Sequence, residues 1–435
     1  MFVTGRLPLL VGLGVLPVVL LSAVGVDAWL ATGAWLALCL ALTAADVAAS
    51  ADPRAVGVER RVPARARLGE LVDTELWIAN TGRRRLRGRV RDAWQPTAGA
   101  PPGRIPLDVP PGERRRLDVP LRPRRRGELA SAFVVVRTLG PLGLAGRQAR
   151  TDARGAVRVL PPFLSRRHLP SRIARLRELD GNTSVQVRGQ GTEFDSLREY
   201  VRGDDVRSID WRATARVGTT MLRTWRPERD RHVVIVIDTG RTSAARVGDG
   251  TRLDASMEAS LLLSALATRA GDHVHLVMYD RVVRARVTGV DGPALLPALV
   301  DAMAPVEPQL IDTDWDGALA QVRALTSRPS LIVLLTAQDA PEAGRGFLGS
   351  LPSITRRARV MVGTVTDTEL PAVAAARERG DDVYRAAAAE HTLRDAAMVA
   401  SAVERAGADV IAAVPEDLPV RVADRYLELK AAGRL

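Results

Sequence analysis

Lysine is almost missing from this 435-residue chain: Lys430 is the only one, and every other basic side chain apart from five histidines is arginine. Cysteine is equally scarce. Cys39 stands alone in an apolar run, so no intramolecular disulfide can form and nothing points to an oxidising compartment. Aromatic residues make up 4% of the sequence. The histidines, His168, His232, His273, His275 and His391, are scattered without the spacing of metal ligands. His273 and His275 alternate onto one strand face, where they read as core or surface neighbours. No Gly-x-Ser-x-Gly elbow, phosphate loop or Cys-x-x-Cys pair occurs. Without an activating base the many serines and aspartates are ordinary surface residues, so an enzyme is not expected. The formal charge is +12. It reads as the arginine preference of a high-GC genome rather than a nucleic-acid surface, because no nucleic-acid motif accompanies it. No small-molecule substrate is indicated.

Charge is also absent from two long runs near the N-terminus, residues 7–26 and 28–45, separated by Asp27. Each approaches the roughly 20 residues that cross a hydrocarbon core. Together, in residues 1–50, they predict a transmembrane helical hairpin, with Pro17 kinking the first helix and Trp29 placed to anchor at an interface. Arg6 precedes the pair, and Arg54, Arg60, Arg61, Arg65 and Arg67 follow it. The turn has no Lys or Arg, so positive-inside bias puts both ends in the cytoplasm of a cytoplasmic-membrane protein. A cleaved signal peptide is the rival, and it leaves the second run unexplained.

Residues 56–163 change character. Alternating runs such as Glu75–Ala79 and Phe133–Arg137 lie between the turn signals Asn80-Thr-Gly82, Pro101-Pro-Gly103 and Pro110-Pro-Gly112. Short strands at this spacing predict a β-sandwich, immunoglobulin-like in kind. Arginine triplets at 83–85, 114–116 and 124–126 fall beside turns. They read as solvated loops or as contacts to anionic membrane lipid. Residues 164–231 form a connector with a helix over Ser171–Leu179 that ends at Asp180-Gly-Asn182. From 232 to 414, strands alternate with helices, which predicts a doubly wound, mostly parallel α/β domain. Residues 415–435 form a tail helix. The fold class is therefore multidomain: membrane hairpin, β-sandwich, then α/β.

The most patterned stretch is Glu193-Phe194, Leu197-Arg198-Glu199-Tyr200, Gly203-Asp204, Arg207, Ile209-Asp210-Trp211 and Ala215-Arg216. It resembles the signature of a bacterial family called domain of unknown function 58, and the C-terminal Asp424–Leu435 resembles the tail of actinobacterial members. Arg126-Gly127 and Leu139–Leu144 also fit that family. The resemblance covers essentially the whole chain. It implies that residues 232–414 form a domain similar to von Willebrand factor type A, and that the partner is a MoxR-type AAA+ ATPase acting in protein maturation or envelope assembly. Glu193, Arg198, Tyr200, Asp204, Arg207, Asp210, Trp211 and Arg216 read either as a structural ion-pair network, with Trp211 a packing anchor, or as a recognition surface.

Type A domains of the metal-binding kind hold a cation with an Asp-x-Ser-x-Ser turn, a Thr from a second loop and an Asp from a third. Here Asp238 and Thr242 match the turn, Thr313 fits the second loop, and Gly240 and Ala337 lack the expected oxygens. Asp339 has the wrong spacing to compensate. No cofactor is therefore expected. The alternative is a Mg2+-dependent ligand-binding or adhesion module, since Mg2+ takes oxygen ligands. Otherwise the site is degenerate, with Asp238 held by hydrogen bonds or by Arg241.

Overall fold

The computed structural model describes residues 1–183, 193–201, 204–226, 231–248, 250–342 and 344–435; for 180–183, 193–196 and 224–226 it describes the backbone alone. The chain divides into two compact units, Met1–Leu160 and Pro161–Leu435.

In the first unit the apolar runs become helices Arg6–Leu13, Val15–Ala23 and Ala28–Ala49. Taken as Arg6–Ala23 and Ala28–Ala49, both spans are long and apolar enough to cross a membrane. The break in the first span falls at Gly14 and not at Pro17 itself. A proline frees the carbonyl one turn before it, so its distortion appears N-terminal to the ring. Gly14 also admits the Trp35 indole, which lies where a Cβ would stand. Asp27 caps the second helix, accepting from the backbone N–H groups of Trp29 and Leu30.

That second helix runs four residues beyond the expected 45 and carries Asp46 into the protein. The buried Asp46 carboxylate accepts the N–H groups of Leu142, Leu144 and Ala145 at 2.7, 2.8 and 3.0 Å. Gly140 gives it room, since a Cβ there would lie 2.1 Å from Asp46 Oδ1. At the other end of the pair, Thr4 Oγ1 donates to Gly143 O. Both ends of the helical pair are thus tied to one loop, 140–145.

The rest of the unit is two antiparallel-rich sheets. One orders Phe2–Val3, Ala145–Leu160, Gly127–Leu139, Leu86–Trp94 and Ile105–Val109, with Arg65–Arg67 joining Ala145–Leu160 in parallel. The other orders Val56–Arg61, Glu75–Asn80 and Arg114–Asp118. Leu76 and Ile78 of the second share a core with Val90, Val134 and Val157 of the first. Two strands, of 13 and 16 residues, are longer than the short segments expected from the turn spacing.

The second unit is built on a six-stranded sheet. Its strands are β1 (His232–Asp238), β2 (His273–Tyr279), β3 (Val283–Val287), β4 (Leu331–Leu335), β5 (Arg359–Val365) and β6 (Asp409–Ala413). Their order is β3-β2-β1-β4-β5-β6, parallel except for β3 at the edge. Helices that pack on it include α1 (Arg252–Arg269), α2 (Leu295–Met303), α3 (Trp315–Leu325), α4 (Gly380–Arg405) and α5 (Leu418–Ala431). Alternation along β1 explains the layering: Val233, Ile235 and Ile237 pack with α1, α2 and α5, whereas Val234 and Val236 pack with α3 and α4. Between β5 and β6 the chain forms a short helix, Leu370–Ala375, and then the long α4 that begins at Gly380. The linker helix runs Leu169–Thr183, past the expected stop. It packs on this unit through buried Leu176 and an Arg172–Asp424 pair at 2.9 Å.

Lys430, the lone lysine, sits in α5 and is buried. Its Nζ lies 3.0 and 3.2 Å from the two oxygens of buried Asp272, and Tyr426 Oη donates to the same carboxylate. A compact ammonium with three donors serves a buried site of this size, where a planar guanidinium is a different shape.

Candidate functional site

Chain order reverses direction across the sheet between β1 and β4, and at such a switch point the strand tips diverge into a crevice. Asp238 ends β1 there and is 1% exposed. Its Oδ1 accepts Gly240 N–H at 2.8 Å and the Thr313 hydroxyl; its Oδ2 accepts Thr336 Oγ1 at 2.6 Å and Thr242 Oγ1 at 3.3 Å. The sequence places Thr242 and Thr313 here, and the structure brings both onto Asp238. Burial pushes the Asp238 pKa up, against the hydroxyl and N–H donors that favour the carboxylate.

Gly240 has a steric reason. A Cβ at this position would lie 2.3 Å from Thr313 Oγ1, so the Thr313 hydroxyl occupies the space a residue-240 side chain would take. Ala337 is buried and contributes no oxygen. Asp339 is turned away to Arg252 at 2.7 Å, and Arg241 pairs with Asp312, not with Asp238. Next to the site, Asp280 accepts from Thr239 and pairs with Arg284 at 2.7 Å. Burial raises the Asp280 pKa, but the hydrogen bonds from Arg284, Arg281 N–H, Thr239 and Val282 N–H outweigh it and leave the group lowered.

The tip thus offers one carboxylate and three hydroxyls, already bonded to one another. Among the described residues no group of three or more His, Cys, Asp or Glu is placed to hold a metal ion. This donor set is short of the oxygen ligands a hard divalent cation takes. Thr336, Thr239 and Asp280 were not marked by the sequence reading. The available signal was position: Thr336 directly follows the apolar run of β4, as Asp280 follows β2.

The signature stretch forms a separate small element. Glu193–Glu199 pairs antiparallel with Met221–Arg226 and encloses the short helix Trp211–Val217. Gly203 and the Glu193 side chain lie outside the described residues. Arg198 pairs with Asp204 at 2.7 Å. Asp210 caps the short helix, accepting from Arg212 and Ala213 N–H, and pairs with Arg223 at 2.7 Å. The Ala213 N–H and the Arg223 guanidinium hold its pKa below the ordinary carboxylate value. Among the described residues, two local pairs of the expected network are seen, Arg198–Asp204 and Asp210–Arg223. Arg207 and Arg216 are exposed, and Tyr200 is half-buried. Trp211 is 69% exposed, which contradicts its reading as a packing anchor: the outer face of this short helix carries Trp211, Arg212, Ala215 and Arg216.

The histidines are less scattered than their numbering implies. Parallel pairing of β1 with β2 sets His232 beside His273, and His232 Nδ1 lies 2.9 Å from His275 Nε2. His232 stacks on both of the others.

An apolar helix pair, a sheet-rich unit and a two-faced, mostly parallel α/β unit define a multidomain mixed α/β protein. Residues 196–406, from within the signature hairpin to just past the end of α4, match the family described as protein of unknown function DUF58, which supports placing the chain in that family. No curated protein matches the chain. Solved structures align only distantly. A CARDB domain from Pyrococcus furiosus shows 17% identity over 24% of this chain and 91% of its own, with a TM-score of 0.19. Salmonella alpha-2-macroglobulin shows 19% over 24% and 7%, with 0.19. A GH20 exo beta-N-acetylglucosaminidase from Vibrio harveyi shows 10% over 82% and 75%, with 0.23. Scores this low carry no argument.

Proposed function

We propose that this protein is a non-catalytic adaptor anchored in the cytoplasmic membrane by its helical pair, with both units in the cytoplasm. The first unit is read as an immunoglobulin-like β-sandwich spacer and the second as a von Willebrand factor type A-like domain that binds a protein partner. The family resemblance supplies the partner class, a MoxR-type AAA+ ATPase, and the setting, maturation or assembly of other proteins. The observation that carries the reading is the 69% exposure of Trp211 on a helix face that also carries Arg212 and Arg216. Exposed aromatic and arginine side chains are the usual anchors of protein interfaces. The test is affinity purification of the tagged chain from its membranes, with Trp211→Ala alongside. Recovery of an AAA+ ATPase with the wild type and its loss from a folded variant supports the adaptor; no ATPase after crosslinking removes it.

The competing reading is a cation-dependent binding module at Asp238, Thr242 and Thr313. It is favoured by their convergence, and it requires the hydroxyls to turn from the carboxylate to a shared ion. Calorimetry with Mg2+ decides: heats that vanish in Asp238→Ala establish it.

A further inference from the structure

The end of the second apolar helix opens onto a depression of ≈ 230 Å³ lined by Ser50, Ala51, Asp52, Arg83, Arg84 and Arg147, among others. Its position follows from the chain. Ala49 ends the span, and Thr138 Oγ1 holds the next turn by donating to Ala51 O at 2.8 Å. On the membrane reading, this is the depth of lipid headgroups.

The arginines are mounted on a fixed loop. Buried Asn80 accepts Gly82 N–H at 3.0 Å and donates to Arg84 O at 2.9 Å, which folds residues 80–84 into a tight turn. Arg84 reaches back to the helix end, donating to Ala48 O at 2.5 Å. Arg147 comes from the neighbouring long strand, Ala145–Leu160. Among the described residues, neither Arg83 nor Arg147 has a carboxylate within ion-pair distance. Asp52 is the one acid in the lining, so three guanidinium groups face one carboxylate.

Other arginines of the three triplets are differently engaged. Arg85 is paired with Asp108, Arg116 with Glu75 and Asp118, and Arg114 lies over the Trp77 ring. Arg126 is buried.

We propose that Arg83, Arg84 and Arg147 form a binding site for the phosphate of an anionic phospholipid headgroup. Guanidinium donors match phosphate oxygens, and the excess positive charge favours a lipid whose headgroup carries no compensating cation. An acyl chain descending from the site would run along the exposed apolar surface of the helical pair. Phosphate as a free ion offers the same oxygens without that second contact. The site holds the first unit against the membrane surface at a set height.

This rests on the reading that the helical pair spans a membrane, so alkaline carbonate extraction comes first; release of the full chain from membranes overturns that reading. For a chain that stays, native mass spectrometry in mild detergent follows adducts of phosphatidylglycerol, phosphatidylcholine and inorganic phosphate. The expected result is preferential binding of phosphatidylglycerol, weakened about tenfold or more in Arg83→Gln/Arg147→Gln. The single variants weaken it less. Arg89→Gln/Arg91→Gln, which removes the same charge elsewhere, retains it. Equal binding by the Arg83/Arg147 variant and wild type overturns the site. Equal affinity for inorganic phosphate and the lipid overturns the lipid assignment and leaves a site for a soluble anion.

Discussion

Asp238 ends a strand and Asp210 precedes a short helix; both gather backbone and side-chain donors, yet they stand in opposite surroundings. Asp238 is enclosed by hydroxyls from two other loops, which donate to its carboxylate. Asp210 caps a short helix whose outer face points Trp211 and two arginines at solvent. The first arrangement is a framework: its polar groups satisfy one another and hold strand tips together. The second uses an aspartate to hold a helix that presents its side chains to solvent. Chemistry-bearing residue types alone do not separate the two; burial and the direction of the donors do.

Removing the carboxylate of the enclosed centre should have the largest effect. Asp238→Ala leaves buried hydroxyl and N–H donors without an acceptor, at a cost of about 3 kcal/mol. The expected outcome is a clear fall in the thermal midpoint of the full chain, measured by tryptophan fluorescence or calorimetry. An unchanged midpoint would show the centre to be dispensable.

Restoring the missing hydroxyl tests the packing next. Gly240→Ser forces a side chain into the space of Thr313 Oγ1, and such overpacking costs about 1–3 kcal/mol. Thr313→Ala in the same chain should recover most of that loss. A double variant no better than the single one would mean that Gly240 is needed for another reason.

The histidine cluster supplies a smaller, pH-dependent term. Burial first, then the neighbouring His232 and His273, holds the His275 pKa below its ordinary 6.5. The unfolded chain then binds the proton more readily than the folded one. The contribution to stability is complete above about pH 6.5 and is lost as pH falls toward the folded-state pKa. His275→Gln should flatten that part of the midpoint-versus-pH curve, and an identical slope in the variant refutes the assignment.

On the exposed side the smallest stability effect is expected. Trp211→Ala should shift unfolding by no more than about 0.5 kcal/mol, since the indole is largely in solvent. Partner recovery should nevertheless fall sharply. A variant that unfolds instead would move Trp211 into the framework class.

Much of this architecture was readable beforehand. The strands His232–Asp238 and Leu331–Leu335 are uninterrupted apolar runs, and the spans near the N-terminus lack charge over helix-length stretches. Asp238, Thr242 and Thr313 were also found, through their resemblance to a known pattern. Thr336 was not, because a threonine after a strand has no local mark of what it faces. His232 was not linked to His273 and His275, since spacing along the chain ignores the register that sets His232 beside His273. The length of α4 has little local mark: its alanine-rich first half has few of the large apolar residues that announce a buried face.

The sequence by itself determined where most strands, helices and membrane-length spans lie, though not their ends, because alternation, apolar periodicity and caps act between near neighbours. Only the tertiary structure decided which polar groups meet. Thr336 reaches Asp238 across 98 positions, Leu144 reaches Asp46 across 98, and Lys430 reaches Asp272 across 158. Such pairings depend on how distant segments stack on a common core, and a buried donor or acceptor must find its partner there, however far along the chain it lies.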